Sequence, residues 1–175
     1  LFGVNFNVYY LMLFKRPKDA LRCEELWGYV GIVAGAILLI TINIRHMFPS
    51  LLNTIHHAAF QVATIITTTG YSTVDFNQWP EFSKTVLLTL MFIGACAGST
   101  GGGIKVSRIM IALKEVKKEM AALIHPRSVK VIKYEGKSLD HNTLRSLNAY
   151  LIVYALIFFL SVLIISLDNF DFTTS

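Results

Sequence analysis

Residues 67–72 read Thr-Thr-Thr-Gly-Tyr-Ser, a run whose available chemistry is backbone oxygen rather than side-chain charge. A cation that sheds its water needs replacement oxygens arranged around it. Carbonyls supply them without a formal charge that would trap the ion. Pointing successive carbonyls at one axis takes the backbone through conformations that a side chain resists, and Gly70 permits them. The threonine hydroxyls can bond neighbouring backbone or add a further oxygen, and Tyr71 can pack outward to hold the loop's diameter. Alone the string is weak, because a plain Thr-Gly turn between two helices uses the same residue types.

A second run, residues 94–105 (Gly-Ala-Cys-Ala-Gly-Ser-Thr-Gly-Gly-Gly-Ile-Lys), holds five glycines in its first ten residues. Each glycine inside a helix costs about 1 kcal/mol relative to alanine, so a continuous helix is not expected. Lipid does not accept the backbone groups that a break sets free, so the break must face protein or a pore. Lying midway along a span, it falls below the first run. A phosphate-binding loop is the competing chemistry. It needs Lys directly after Gly and a hydroxyl residue next, whereas here Ile104 intervenes and Val106 follows Lys105. Close helix packing through small residues is a second explanation of the glycines.

Both runs need elements to hold them, and the charge layout indicates which. Of the 175 residues 54% are hydrophobic and 15% charged, where a soluble domain is about a quarter charged. Residues 26–44, 85–104 and 146–167 are uncharged over 19, 20 and 22 positions; a helix needs roughly 20 to cross the hydrocarbon core. Lys and Arg fall in two blocks, four at 15–22 and ten at 105–145, with only Arg45 and Lys84 between. Short basic loops stay on the cytoplasmic side, so both blocks are expected inside and residues 45–84 outside. Residues 51–74 are a further uncharged stretch; were they to span, ten positive charges would face outward. They also carry Asn53, His56, His57, Gln61 and the threonines, which suit lipid badly. A re-entrant segment meets both facts. Residues 52–66 have helical composition without proline, and Ser50 is a candidate N-cap. A short helix running into Thr-x-Gly-Tyr is the arrangement of K⁺ filters, and the partial negative charge of its C-terminus favours a cation there.

The expected fold class is an all-α membrane protein: a K⁺-channel-like helix–pore loop–helix repeat with a re-entrant filter loop and a broken second helix. Its segments are 1–14, the end of the preceding repeat's inner helix; 15–25, a cytoplasmic loop; 26–120, the repeat; 121–143, a cytoplasmic linker; and 144–175, the first helix of the next repeat. Within the repeat, the outer helix is 26–45, the pore helix 51–66, the filter 67–75 and the broken inner helix 83–120. One loop supplies a quarter of a ring, so either four chains assemble or one longer chain carries several repeats. The new span near Ser146, closing outside at 168–171, favours repeats, and both ends of the sequence read as cuts.

The remaining residues divide between bland and functional readings. His56 and His57 point about 100° apart on a helix and chelate one metal poorly. Asp75 and Glu81 are either an outer cation-attracting pair or solvated loop residues. Lys105 either repels cations or begins the cytoplasmic face. Lys114, Glu115, Lys117, Lys118 and Glu119 read first as a solvated helix face and second as a partner surface. Cys23 and Cys96 are not expected to meet. No nucleophile–base set, metal cluster, organic-cofactor motif or nucleic-acid signature stands out, so an enzyme is disfavoured. A secondary transporter with a midplane site explains the glycines but not the filter string; a membrane anchor without transport is the third class.

The strings TTTGYSTVDFNQWP (67–80) and GACAGSTGGGIKVSRI (94–109) resemble the third repeat of TrkH-type potassium transporters, in the Trk/Ktr/HKT superfamily. Gly3-Val4-Asn5-Phe6 resembles the end of the second repeat, and Asn148-Ala149-Tyr150-Leu151 the first helix of the fourth. The resemblance implies four non-identical repeats around one pore in the cell's inner membrane, translocating K⁺. It implies that Gly70 is the filter glycine, with Thr68, Thr69 and Tyr71 supplying neighbouring carbonyls, and that K⁺ sits at the carbonyls of Thr68, Thr69 and Gly70. It implies that Gly98, Ser99, Thr100, Gly101, Gly102 and Gly103 form an intramembrane gate. It further implies a homodimer and a cytoplasmic nucleotide-binding regulatory subunit of the TrkA kind, which the basic segment 105–145 would face. Ser72 follows Tyr71, so one glycine stands where tetrameric K⁺ channels carry two, and strong selectivity does not follow.

Overall fold

The computed structural model describes residues 3–14, 20–124 and 131–167. Expectations on Lys15, Arg16, Lys18, Arg127 and Lys130, and on the outer end at 168–175, lie outside the described residues. The chain forms α1 (Phe6–Leu13), α2 (Glu24–Ile44), α3 (Leu51–Ile66), α4 (Glu81–Ile93), α5 (Val106–Ile124) and α6 (His141–Ser166). Short 3₁₀ turns occupy Arg45–Met47 and Phe76–Gln78, and a small hairpin pairs β1 (Lys133–Tyr134) with β2 (Lys137–Ser138).

α2 begins at Glu24, two residues before its uncharged run. Glu24 and Glu25 occupy its first turn, where carboxylates complement the positive end of the helix dipole. Its 21 residues rise about 31 Å, close to the thickness of a hydrocarbon core of about 30 Å. α6, with 26 residues, is also long and apolar enough to cross. α3 has 16 residues and rises about 24 Å, which is too short. Ser50 precedes α3, but its side chain makes no capping bond. Instead its carbonyl accepts the N–H of Thr54 at 3.1 Å and the Thr54 hydroxyl at 3.0 Å.

α2, α3 and α4 each pack against the other two. The buried Thr54, Ala58, Val62 and Ile66 of α3 recur every fourth residue, one stripe of a helix. That stripe meets Ala36, Ile40 and Ile44 of α2, Leu87 and Leu90 of α4, and Trp79. Between apolar helices in lipid, such packing and interhelical hydrogen bonds hold the bundle; Ser83 donates to Asn43 Oδ1 at 2.7 Å across α4 and α2. α6 lies apart, with Leu144 and Leu147 as its buried residues. Phe158 meets Phe92 edge-on at 4.9 Å and Tyr150 lies under Arg108 at 4.0 Å.

The hairpin falls inside the stretch read as a plain linker. Glu135 and Gly136 both take positive φ, 50° and 77°, the requirement of a tight two-residue hairpin turn. Ile132 packs with Ile111, Leu144 and Leu147 in a second small core, which fixes the hairpin against α5 and α6.

Candidate functional site

The run of residues 67–72 begins where α3 ends. Thr67 N–H reaches the Ala63 carbonyl at 3.2 Å, Thr68 N–H reaches Ile65 at 3.0 Å and Thr69 N–H reaches Thr64 at 2.9 Å. The last two bonds are those of a Schellman closure, whose turning residue is usually glycine. Here it is Thr68, with φ of 55°, an uncommon conformation for a β-branched residue. Its hydroxyl compensates locally, donating to the Thr67 carbonyl at 2.7 Å. The Thr67 hydroxyl bonds the Ala63 carbonyl at 2.6 Å and lies 2.7 Å from that of Thr69. Three threonines thus tie the turn down by their side chains. Gly70 follows with φ of 86° and nothing within 4 Å of where a Cβ would stand, so its requirement is conformational and not steric. Tyr71 is 73% exposed, so the outward packing expected of it is not made by the described residues of this repeat.

Residues 94–105 leave α4 and come back to it. Ile104 N–H bonds the Phe92 carbonyl, Lys105 N–H that of Ile93 and Val106 N–H that of Ala95, each at 3.0 Å. These bonds close a loop between α4 and α5. Its neck is backbone against backbone: a Cβ on Gly94 would stand 2.2 Å from the Gly102 carbonyl oxygen, and Gly94 has φ of 68°. Gly94→Ala therefore combines left-handed strain with a main-chain clash, each costing about 1–3 kcal/mol. We expect a marked fall in the thermal unfolding midpoint of the purified protein, followed by tryptophan fluorescence in detergent; an unchanged midpoint contradicts the neck.

The loop packs under the filter turn. Gly102 N–H donates to the Thr68 hydroxyl at 3.2 Å. A Cβ on Gly101 would lie 2.8 Å from Ala95 Cβ and 3.5 Å from the Ile66 carbonyl oxygen. Lys105 donates from Nζ to the Gly101 carbonyl, a third use beyond the two anticipated for it. Ser99 turns back on Cys96, hydroxyl to carbonyl at 2.5 Å, while Thr100 is exposed. Gly102 therefore meets Thr68, 34 positions away in sequence, while Gly101 lies against Ile66 and Thr67.

Two contributors were not visible in the sequence. The carboxylate of Glu25 is buried against the loop: Oε1 accepts Ala97 N–H at 2.6 Å and Oε2 accepts Asn5 Nδ2 at 3.3 Å. The segment preceding α1 and that helix's first residue add two backbone bonds, Cys96 N–H to Gly3 at 3.0 Å and Phe6 N–H to Gly98 at 3.2 Å. The only sequence signal was a pair of acidic residues abutting a span, which reads as loop.

Other singled-out residues are locally engaged. His57 lies 3.1 Å from the Thr73 hydroxyl and stacks on Phe48. Asp75 caps the turn before Trp79 through Asn77 N–H at 3.0 Å, and Glu81 pairs with Lys84. Lys114 pairs with Glu24 and donates to the Lys133 carbonyl at 2.9 Å, joining α5, α2 and the hairpin. Cys23 donates to Glu135 Oε1 at 2.9 Å; burial first, then that carboxylate, pushes its thiol up to about 11. Burial likewise raises the Tyr134 phenol, with the carboxylates of Glu25 and Glu135 adding to the effect.

Residues 31–175 match the family TrkH, described as cation transport protein. The chain is 34% identical over 172 residues to the Trk system potassium uptake protein TrkH of Salmonella typhimurium, covering 97% of this chain and 36% of that protein. It is 30% identical over 177 residues to the Trk system potassium uptake protein TrkG of Escherichia coli, covering all of this chain and 36% of that protein. The crystal structure of the potassium transporter TrkH from Vibrio parahaemolyticus superposes with a TM-score of 0.89 at 31% identity, over 97% of this chain and 37% of that one. The chain thus spans about a third of the length of the curated relatives it matches.

Proposed function

The chain belongs to the TrkH family of cation transport proteins, membrane transporters and not enzymes, and from that premise we propose that it builds one quarter of a K⁺ pore. In this reading residues 26–120 are one helix–pore loop–helix repeat. α2 is its outer helix, α3 its pore helix, residues 67–75 its filter, and α4 with α5 its broken inner helix. Residues 1–14 close the preceding repeat, 144–175 open the next, and 15–25 with 121–143 are cytoplasmic. The carbonyls of Thr68, Thr69, Gly70 and Tyr71 face the ion, and residues 98–103 form the gate beneath them. The observation that carries this reading is the bond from Gly102 N–H to the Thr68 hydroxyl at 3.2 Å. A gate has to lie against its filter, and this bond is the contact that such an arrangement requires.

The K⁺ assignment rests on relatives named for potassium uptake and on an uncharged oxygen path that suits a monovalent ion. α3 points its C-terminus at that path, which adds partial negative charge without a carboxylate. The four repeats surround one pore in the inner membrane, two such proteins form a homodimer, and a TrkA-like nucleotide-binding subunit docks on the basic cytoplasmic face. Lys114 is the residue through which that face reaches α2, by its pair with Glu24.

Topology is the test. In the full-length protein, Gln78→Cys should react with an impermeant maleimide from outside and Lys133→Cys from inside; a spanning α3 would reverse the two sides. Cys96 is buried and the Cys23 thiol, held protonated near neutrality, reacts slowly; Cys23→Ser removes its contribution, and the full-length parent without either new cysteine sets the background. Labelling of both positions from one side would remove the re-entrant loop and the pore with it.

A further inference from the structure

The loop of residues 94–105 is held unequally along its length. Its first limb, residues 96–98, is bound at three successive positions: Cys96 N–H to Gly3, Ala97 N–H to Glu25 and the Gly98 carbonyl to Phe6 N–H. Its second limb, residues 99–103, meets the filter through the single bond from Gly102 to Thr68. Of the first limb's partners from outside the loop only Glu25 bonds through a side chain, and only it carries charge. Glu25 is 2% exposed, and a buried carboxylate is tolerated only where its oxygens are paired. Here each oxygen takes one donor, Ala97 N–H at 2.6 Å and Asn5 Nδ2 at 3.3 Å. A hydrogen bond to an ionised acceptor is about twice as strong as a neutral one. The neighbouring Glu24 cannot replace it, being paired with Lys114.

We propose that Glu25 is a positioning residue of the gate: its carboxylate pins the first limb in the closed state, so the loop stays seated under Thr68, and that bond is given up when the gate opens. The proposal rests on reading residues 98–103 as a gate. Asn5 is its second half, since it orients the carboxylate from the segment before α1 and at the same time caps that helix through Asn7 N–H at 2.9 Å.

The test is radioactive rubidium uptake by the full-length protein in liposomes without its cytoplasmic partner, with assembly checked by size-exclusion chromatography. Glu25→Gln keeps the shape and the acceptor for Ala97 but sets an amide donor against Asn5 Nδ2. Losing a charge-assisted bond from the closed state shifts the closed-to-open balance about tenfold, and basal uptake rises accordingly. Asn5→Asp added to Glu25→Gln restores a donor–acceptor pair and keeps the cap of α1, so uptake returns toward the parent's. Parental uptake in assembled Glu25→Gln, or a raised uptake that Asn5→Asp does not lower, overturns the proposal. Should Glu25→Gln fail to assemble, Asn5→Ser decides: it removes the donor to Glu25 and retains a capping oxygen, and a several-fold rise supports the anchor while parental uptake overturns it. If deletion within residues 98–103 raises uptake while these variants do not, the anchor falls and the gate stands. If the deletion does not raise uptake, the gate reading falls and the anchor with it.

Discussion

Deleting three residues within 98–103 should raise K⁺ flux through the reconstituted full-length protein by about tenfold or more, because the closed state loses contacts worth more than about 1.4 kcal/mol. The contacts are the bond from Gly102 to Thr68 and the closure of Lys105 on Gly101. The framework survives, because the loop's ends are joined outside the deletion by the bonds of Ile104, Lys105 and Val106 to Phe92, Ile93 and Ala95. Control by the cytoplasmic partner weakens in the same variant, since the element it would move is gone. Small-residue packing predicts the reverse. On that reading, removing Gly101 from its close fit on Ala95 loosens the bundle and lowers flux. Folded protein with flux at or below the parent's would sink the gate.

Replacing Gly70 by Ser should lower the preference for K⁺ over Na⁺ by about tenfold while expression and assembly persist. A left-handed backbone costs a non-glycine residue roughly 1–2 kcal/mol, and at φ of 86° Gly70 lies well inside that region. Open space surrounds the missing Cβ, so the serine fits sterically and the response is a rotation of the flanking carbonyls. That rotation degrades one quarter of the oxygen ring. Bi-ionic measurements on reconstituted protein read it directly; an unchanged ratio would mean that Gly70 is only a turn residue. Thr68 is the contrasting position. It holds positive φ as a threonine because its hydroxyl bonds the Thr67 carbonyl and accepts Gly102 N–H, so its strain is met by contacts that a sequence does not display.

Family membership and the helical, span-length character of α2 and α6 were legible in the sequence because they rest on local quantities: string identity, and the length of chain without charge. The glycine run likewise announced a break by composition alone. What composition did not reveal was Glu25, grouped with a polar loop although it lies buried in the first turn of α2, and the Glu135-Gly136 turn that builds a hairpin within the linker. The hydroxyl of Ser50 was expected to cap α3 and makes no capping bond; the Ser50 carbonyl accepts only the first helical N–H and the Thr54 hydroxyl.

By itself, then, the sequence determined which segments are apolar enough for lipid, where helices cannot continue, and which residue types offer oxygens to a cation. Only the tertiary structure decided that the glycine loop ends under Thr68 and that its first limb is held by Glu25. The physical reason is range. Hydropathy and glycine's conformational freedom act within a few residues, whereas the bond from Gly102 to Thr68 and that from Ala97 to Glu25 join residues 34 and 72 positions apart. Their partners are chosen by how α2, α3 and α4 pack, and no spacing along the chain encodes that choice.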